Sequence, residues 1–254
     1  ALPYKEQLER LLAQRRERSG GRSDFLPLPY HRPIAACTLE AIEEAGALMV
    51  SDVSCWCQKT DDPDAETAFL ARLWERIHGR TLVTFRGRAF DVPVLELRSL
   101  KLGIPATNHF SGGARRKGSP DHRDVYELLS NDGIASAAPL DLYSKMLGLP
   151  GKEETEGKDV HTLFISGELE RISAYCMTDV VQTYLVYLRF RLLEGTLTAE
   201  GYARSTESVR DSLPALFARR FGAMERALLK RFLERCQPFL DEQPSPKTPL
   251  RRAL

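Results

Sequence analysis

The chain has 254 residues, of which 43% are hydrophobic and 28% are charged, proportions that are ordinary for a globular protein. Its formal net charge of +1 argues against tight nucleic-acid binding by bulk electrostatics, but allows an enzyme that grips a strand locally and releases it. The five cysteines are too few and too scattered for a disulfide framework, and Cys55-Trp56-Cys57 lacks a second pair at zinc spacing. With no apolar run long enough to span a bilayer and no signal-peptide core, we expect a cytoplasmic protein with no membrane partner.

The first third of the chain is predicted to contain both helices and strands. Residues 3–18 have the spacing of an amphipathic helix, and a Gly/Pro-rich loop follows. Residues 34–57 indicate two or three strands. Residues 62–79 indicate a helix with Asp64 as its N-cap and Gly79 as its end.

The same alternation continues toward the centre of the chain. Residues 81–85 form a short apolar run typical of a buried strand, and a helix is expected at 92–103. A basic, glycine-bearing loop follows at 111–121, and further helices are expected at 139–148 and from about 167 to 193. Strands that alternate with helices indicate an α/β domain.

The C-terminal part differs from the rest in composition. Residues 1–200 are predicted to form the main domain, and residues 201–240 read as an amphipathic helical extension. The Pro-rich tail at 241–254 is expected to be disordered. The apolar face of the extension could serve self-association, but packing back onto the domain is the stronger expectation.

Three features could carry chemistry. Tyr175 and Asp179 lie one helical turn apart and therefore project from one face, while Asp91 comes shortly after a predicted strand, where α/β sheets place ligand-binding residues. Each also has a structural explanation, as a hydrogen-bonded pair in the first case and as a helix cap in the second. Basic side chains near Asp91 and in the glycine-bearing loop could hold phosphates or simply face solvent: Arg86, Arg88, Arg115, Arg116 and Lys117.

Four segments resemble the predicted 3′–5′ exonucleases related to the proofreading domain of family-B DNA polymerases, in the DEDDy group of ribonuclease-H-like nucleases. Residues 82–106 resemble the second exonuclease motif, 121–152 the segment after it, and 167–190 the third motif, Y-x-x-x-D, on its long helix. Residues 23–36 resemble the entry to the second strand. The likeness covers roughly residues 20–200, and its ordered matches are far more specific than Y-x-x-x-D alone.

The resemblance implies a ribonuclease-H-like fold, with a mixed sheet flanked by helices and the extra C-terminal helical segment. It implies hydrolysis of the 3′ ends of single-stranded DNA with two Mg²⁺ or Mn²⁺ ions. Carried over by position, Asp179 is a direct metal ligand and Asp91 holds the second metal through water. Tyr175 orients the attacking water. Phe90 is a candidate for base stacking, although core packing explains it at least as well.

Two departures from the family pattern stand out. Arg86 occupies a position where the family usually carries Asn, and the first motif, D-x-E, is missing. The only literal match, Asp64–Glu66, opens a helix and lies too close before Asp91 to be that motif. The resemblance therefore leads us to expect the first strand upstream of Ala1.

These departures leave two hypotheses for the function. The first is a metal-dependent 3′–5′ exonuclease, whose activity would be abolished by Asp179→Ala. The second is a catalytically silent nuclease-fold module that binds nucleic acid or a partner protein. The second would retain single-strand binding in EDTA and would hydrolyse nothing with any metal.

Overall fold

The computed structural model describes residues 4–23, 25–59, 62–151 and 159–242. The predicted tail, residues 241–254, therefore lies outside the described residues from residue 243 onward.

The described residues form an α/β protein, as the sequence predicted. The strands are β1 (Ala35–Glu44), β2 (Ala47–Cys57), β3 (Leu82–Thr84) and β4 (His122–Asp124). The helices are α1 (Tyr4–Arg18), α2 (Pro63–Ile77), α3 (Asp91–Leu102), α4 (Thr107–Ser111), α5 (Val125–Leu129), α6 (Leu140–Met146), α7 (Val160–Ile165), α8 (Leu169–Leu193), α9 (Ala199–Arg220) and α10 (Ala223–Asp241).

The strands pair as two small sheets. β1 and β2 form an antiparallel hairpin, whose turn residues Ala45 and Gly46 both have positive φ, 49° and 76°, as a type I′ turn requires. β3 pairs with β4 in parallel. The described residues thus contain one antiparallel and one parallel strand pair, the two kinds of pairing that a mixed sheet combines. Each pair forms a separate two-stranded sheet among these residues.

Helix α8 is the centre of the molecule. It packs against β1, β3 and α10, and every residue from 181 to 188 is buried, so this stretch is covered around its whole circumference. Its side chains Met177, Val181, Leu185 and Leu188 are fully buried. A helix that is covered on several sides needs apolar residues around most of its circumference. This explains the high apolar content around the Y-x-x-x-D motif.

The boundaries of α2 correct one detail of the sequence prediction. Its N-cap is Asp62 rather than Asp64, because the Asp62 side chain accepts a hydrogen bond from the Asp64 N–H at 3.0 Å and Pro63 begins the helix. The helix ends at Ile77, and Gly79 follows with φ of 69°, as the sequence predicted.

The two C-terminal helices pack onto the rest of the chain. α9 lies against β2, and α10 packs on α8 and α9. The apolar face of α10 is buried in the core through Leu229, Phe232, Cys236, Phe239 and Leu240. The C-terminal helices therefore pack back onto the domain, the alternative that the sequence analysis preferred to self-association. In the described part of the chain, every helix is too short or too polar to cross a membrane.

Candidate active site

Three acidic residues from distant parts of the sequence come together beside α8. Asp91 is the first residue of α3, Asp124 is the last residue of β4, and Asp179 lies on α8. The pKa of Asp91 is raised to about 6, chiefly because surrounding protein removes water from its carboxylate, and further by the negative charges of Asp124 and Asp179. Asp91 nevertheless keeps contact with solvent, so a solute can reach it.

The carboxylate of Asp124 is tied to the main chain. One oxygen accepts the backbone N–H groups of Arg86 at 2.8 Å and Tyr126 at 3.0 Å, and the other accepts that of Arg88 at 2.9 Å. Only 2% of Asp124 is exposed. Asp124 therefore caps α5 and holds the loop between β3 and α3. The sequence reading missed it, although an Asp directly before a helix was a usable signal.

Helix α8 presents the Y-x-x-x-D motif as expected. Tyr175 and Asp179 lie one turn apart and are both half-buried, and the charge of Asp179 contributes to the pKa shift of Asp91. The alternative role considered for Asp91, as a helix cap, does not apply, because Phe90 occupies the N-cap position and makes no side-chain cap.

Arg86 adopts a backbone conformation that is unusual for its residue type. Its φ is +62°, in the left-handed region that Gly and Asn tolerate better than residues with long side chains. Its guanidinium lies over the Tyr126 ring, 5.1 Å from the centroid. The positive φ gives a physical reason for the Asn that the family pattern carries here.

Arg88 is engaged by the protein itself. Its guanidinium donates to Glu127 Oε2 at 3.0 Å, to the carbonyl oxygen of His122 at 2.6 Å and to that of Ala114 at 2.5 Å. Its side chain is only 12% exposed. These contacts identify Arg88 as a support for the loop before α3 and account for its charge without a phosphate.

The three basic residues of the glycine-bearing loop differ in the contacts that they make with the rest of the protein. Arg115 forms an ion pair with Glu96 at 3.0 Å and covers the Phe110 ring, and Lys117 donates to the carbonyl oxygen of Asp132. The side chain of Arg116 is exposed. Of the three predicted phosphate-binding residues in this loop, Arg116 is the best placed for contact with a solute.

Phe90 belongs to an aromatic group beside Asp91. Its ring lies 5.5 Å from that of Phe25 and 5.0 Å from that of His31, and these two stack at 4.9 Å. Phe25 is 56% exposed. Sequence reasoning missed Phe25 and His31, because their loop is distant in sequence and reaches Asp91 only in the folded chain.

The literal D-x-E at 64–66 lies outside this group. Glu66 is 2% exposed and forms a bidentate ion pair with Arg98 of α3, with both distances 2.5 Å. Its carboxylate is therefore satisfied within the helix layer, in agreement with its rejection as the first motif.

The donor chemistry at the site fits a hard divalent cation in part. Asp91 and Asp179 offer carboxylate oxygens, which Mg²⁺ and Mn²⁺ prefer, whereas both Asp124 oxygens already accept backbone N–H groups. Across the described ranges, no group of three or more His, Cys, Asp or Glu side chains is arranged to hold a metal ion. Asp91 and Asp179 thus supply two carboxylates of the kind that such an ion prefers, fewer than the three side chains of such a group.

The chain resembles a family of known proteins over most of its length. A search among curated proteins finds none that matches this chain. A family model described as a predicted 3′–5′ exonuclease related to the exonuclease domain of PolB matches residues 23–236, which include the aromatic group, all three acidic residues and most of α10. The chain therefore belongs to this family of predicted 3′–5′ exonucleases.

Proposed function

We propose that the chain is the nuclease part of a metal-dependent 3′–5′ exonuclease that removes nucleotides from single-stranded DNA. The observation that carries the proposal is the convergence of Asp91 and Asp179, from two separate motifs, on one solvent-accessible position. In this proposal, Asp91 and Asp179 hold Mg²⁺ or Mn²⁺. Such ions, when bound, activate water and stabilise the leaving oxygen of a phosphodiester.

The remaining residues bind and position the strand. Tyr175, one turn before Asp179, orients the attacking water. Phe25 and Phe90 offer ring faces beside Asp91 on which a terminal base can stack, a contact that tolerates any base. Arg116, and Arg86 above the Tyr126 ring, supply positive charge for phosphates.

Two strand edges of the fold could accept a further strand. Among the described strands, β1 and β3 each pair along one edge only, and α8 packs against both. A further strand seated there would complete its backbone hydrogen bonds and could carry D-x-E toward Asp91. In this proposal, the first motif lies on such a strand.

The test is an exonuclease assay on 5′-labelled single-stranded DNA with Mn²⁺ or with EDTA. Asp179→Ala should abolish stepwise shortening, and Asp211→Ala should not, because Asp211 is a surface residue of α9 with a 62% exposed side chain. The assay is run on this chain and on an extended form, the full product of its gene. Shortening by neither form, or shortening that survives Asp179→Ala, contradicts the proposal.

A second function is favoured by one observation. Because the described residues lack a complete group of metal-holding side chains, the fold could bind single strands without cutting them. This catalytically silent module would bind labelled single-stranded DNA in EDTA, and the extended form would remain inactive with every metal. Metal-dependent shortening by the extended form eliminates it.

A further inference from the structure

Four of the five cysteines meet between the β1–β2 hairpin and α8. Cys55 and Cys57 are two residues apart on β2 and so project from the same face of the strand. Cys37 of β1 is the register partner of Cys55. Cys176 lies on α8, which covers this face. We call these four residues the thiol cluster.

The sulfur of Cys55 is the acceptor at the centre of the cluster. Ser173 of α8 donates its hydroxyl to Cys55 Sγ at 3.1 Å, and the thiols of Cys37 and Cys57 also interact with Cys55. These donors lower the pKa of Cys55, whereas burial raises the pKa of Cys37. The direction of these shifts, together with the Ser173 hydrogen bond, favours ionisation of Cys55 over Cys37, and a thiolate is the nucleophilic form of cysteine.

The register makes Cys37 the natural partner for a bond to Cys55. Directly opposed residues in an antiparallel pair have Cα atoms about 4.5 or about 5.5 Å apart. Both separations fall within the range of about 4.4–6.8 Å that disulfides bridge. Cys57, two residues along the same strand from Cys55, lies at about 6.8 Å, the upper limit of that range.

Access and surroundings also suit a reaction. All four cysteines of the cluster are only half-buried, whereas Cys236 is buried among the C-terminal helices. Part of each cluster residue therefore remains open to solvent, as reaction with a small oxidant requires. When one sulfur is a thiolate and neutral thiols lie beside it, oxidation of the thiolate to sulfenic acid can be followed by attack of a neighbouring thiol, which forms a disulfide.

We propose that the thiol cluster is a hydroperoxide-reactive site, at which Cys55 is oxidised first and Cys37 then closes a disulfide across the hairpin. In the first step, the Cys55 thiolate attacks the peroxide, the O–O bond breaks, and sulfenic acid and hydroxide form. In the second, Cys37 loses its proton and its sulfur attacks Cys55. The S–O bond breaks, and the departing hydroxide takes up that proton as water. Two thiols are oxidised, and one hydrogen peroxide is reduced to two waters.

The test exposes the native chain to hydrogen peroxide, blocks remaining thiols with N-ethylmaleimide after unfolding, and maps the peptides by mass spectrometry. We expect a Cys37–Cys55 linkage and an unoxidised Cys236. Cys37→Ser should leave a sulfenic acid on Cys55 that dimedone captures. Cys55→Ser should slow oxidation of the remaining cluster thiols at least about tenfold. Cys236→Ser, the matched control, should change neither product nor rate.

Other results overturn the proposal. First modification at a different cysteine would do so, as would a disulfide that excludes Cys37 or Cys55. Wild-type chain that reacts no faster when folded than when unfolded would show that the cluster does not activate its thiols. This last comparison uses no variant, so it holds even where a serine substitution disturbs folding. No result here depends on nuclease activity.

Discussion

The acidic residues near Asp91 and the thiol cluster lie against the same helix, α8, and they accommodate negative charge in opposite ways. The charge of Asp91 is opposed by desolvation and by two neighbouring carboxylates. The charged form of Cys55 is favoured by its interaction with the thiols of Cys37 and Cys57 and by the Ser173 hydroxyl, which donates to its sulfur. The surroundings of Asp91 therefore disfavour its negative charge, which a bound cation would neutralise. The surroundings of Cys55 stabilise its negative charge.

The same contrast divides the acidic residues themselves. Asp124 resembles Cys55, because three backbone N–H groups donate to its carboxylate. Asp91, the first residue of α3, bears the repulsion of Asp124 and Asp179 instead. Carboxylates in one group can thus serve structure or ligand binding, depending on how many donors surround each of them.

The largest expected effect comes from adding a cation. Saturating Mn²⁺ should raise the free energy of unfolding by roughly 3 kcal/mol at a hundredfold excess over Kd, because it relieves the repulsion around Asp91. Urea denaturation with Mn²⁺ and with EDTA measures this. The double variant Asp91→Asn, Asp179→Asn should lose the stabilisation, and Asp211→Asn should keep it. Equal stabilisation of the double variant would place the ion elsewhere.

Next in size is the loss of Asp124. Asp124→Ala removes the acceptor for three backbone N–H groups, and we expect a cost of about 2 kcal/mol in the free energy of unfolding. Thermal and urea denaturation in EDTA measure it. Asp121→Ala, which removes the acceptor for the Gly113 N–H in the neighbouring loop, is the matched control and should cost less. A neutral Asp124→Ala would show that these hydrogen bonds contribute little.

Asp91→Asn should have the opposite sign from Asp124→Ala. The pKa of Asp91 lies at about 6 in the folded chain against 3.8 as reference, so ionisation destabilises the fold as pH rises through this window. Removing the charge should therefore stabilise the chain above about pH 7 and have almost no effect near about pH 4. Because Asp91 keeps solvent contact, we expect only about 1 kcal/mol.

Urea denaturation at both pH values in EDTA is the measurement. Asp211→Asn serves as the control, since its exposed side chain should give no gain in either condition. A stabilisation of Asp91→Asn that is equal at both pH values would point to a cause other than charge.

The smallest expected effect concerns Arg86. Arg86→Asn keeps the backbone N–H that donates to the Asp124 carboxylate. It also replaces Arg, whose φ here is +62°, by a residue that tolerates positive φ better. We expect a gain of about 0.5–1 kcal/mol, reduced by the lost contact with Tyr126. Equilibrium urea denaturation of Arg86→Asn and Tyr126→Leu separates the two contributions. A loss of stability in Arg86→Asn would mean that the ring contact outweighs the backbone strain.

Much of the fold follows from local pattern. The long helix with Tyr175 and Asp179 was predictable because helix periodicity and length are properties of contiguous residues. The helix ending before Gly79 was predictable for the same reason. The N-cap of α2 was misassigned by two residues because both Asp62 and Asp64 satisfy the composition of a helix start, and backbone geometry alone distinguishes them.

The sequence by itself determined the α/β class, the order of the main elements and the two motifs that contain Asp91 and Asp179. Only the tertiary structure decided that Asp124 joins them, that Arg88 is held by the loop, and that four scattered cysteines form one cluster. The physical reason is the separation in sequence between the residues that interact. Helices and strands are specified by neighbours in sequence, whereas the pKa of Asp91 and the donors to Cys55 depend on segments that approach only after the chain has folded.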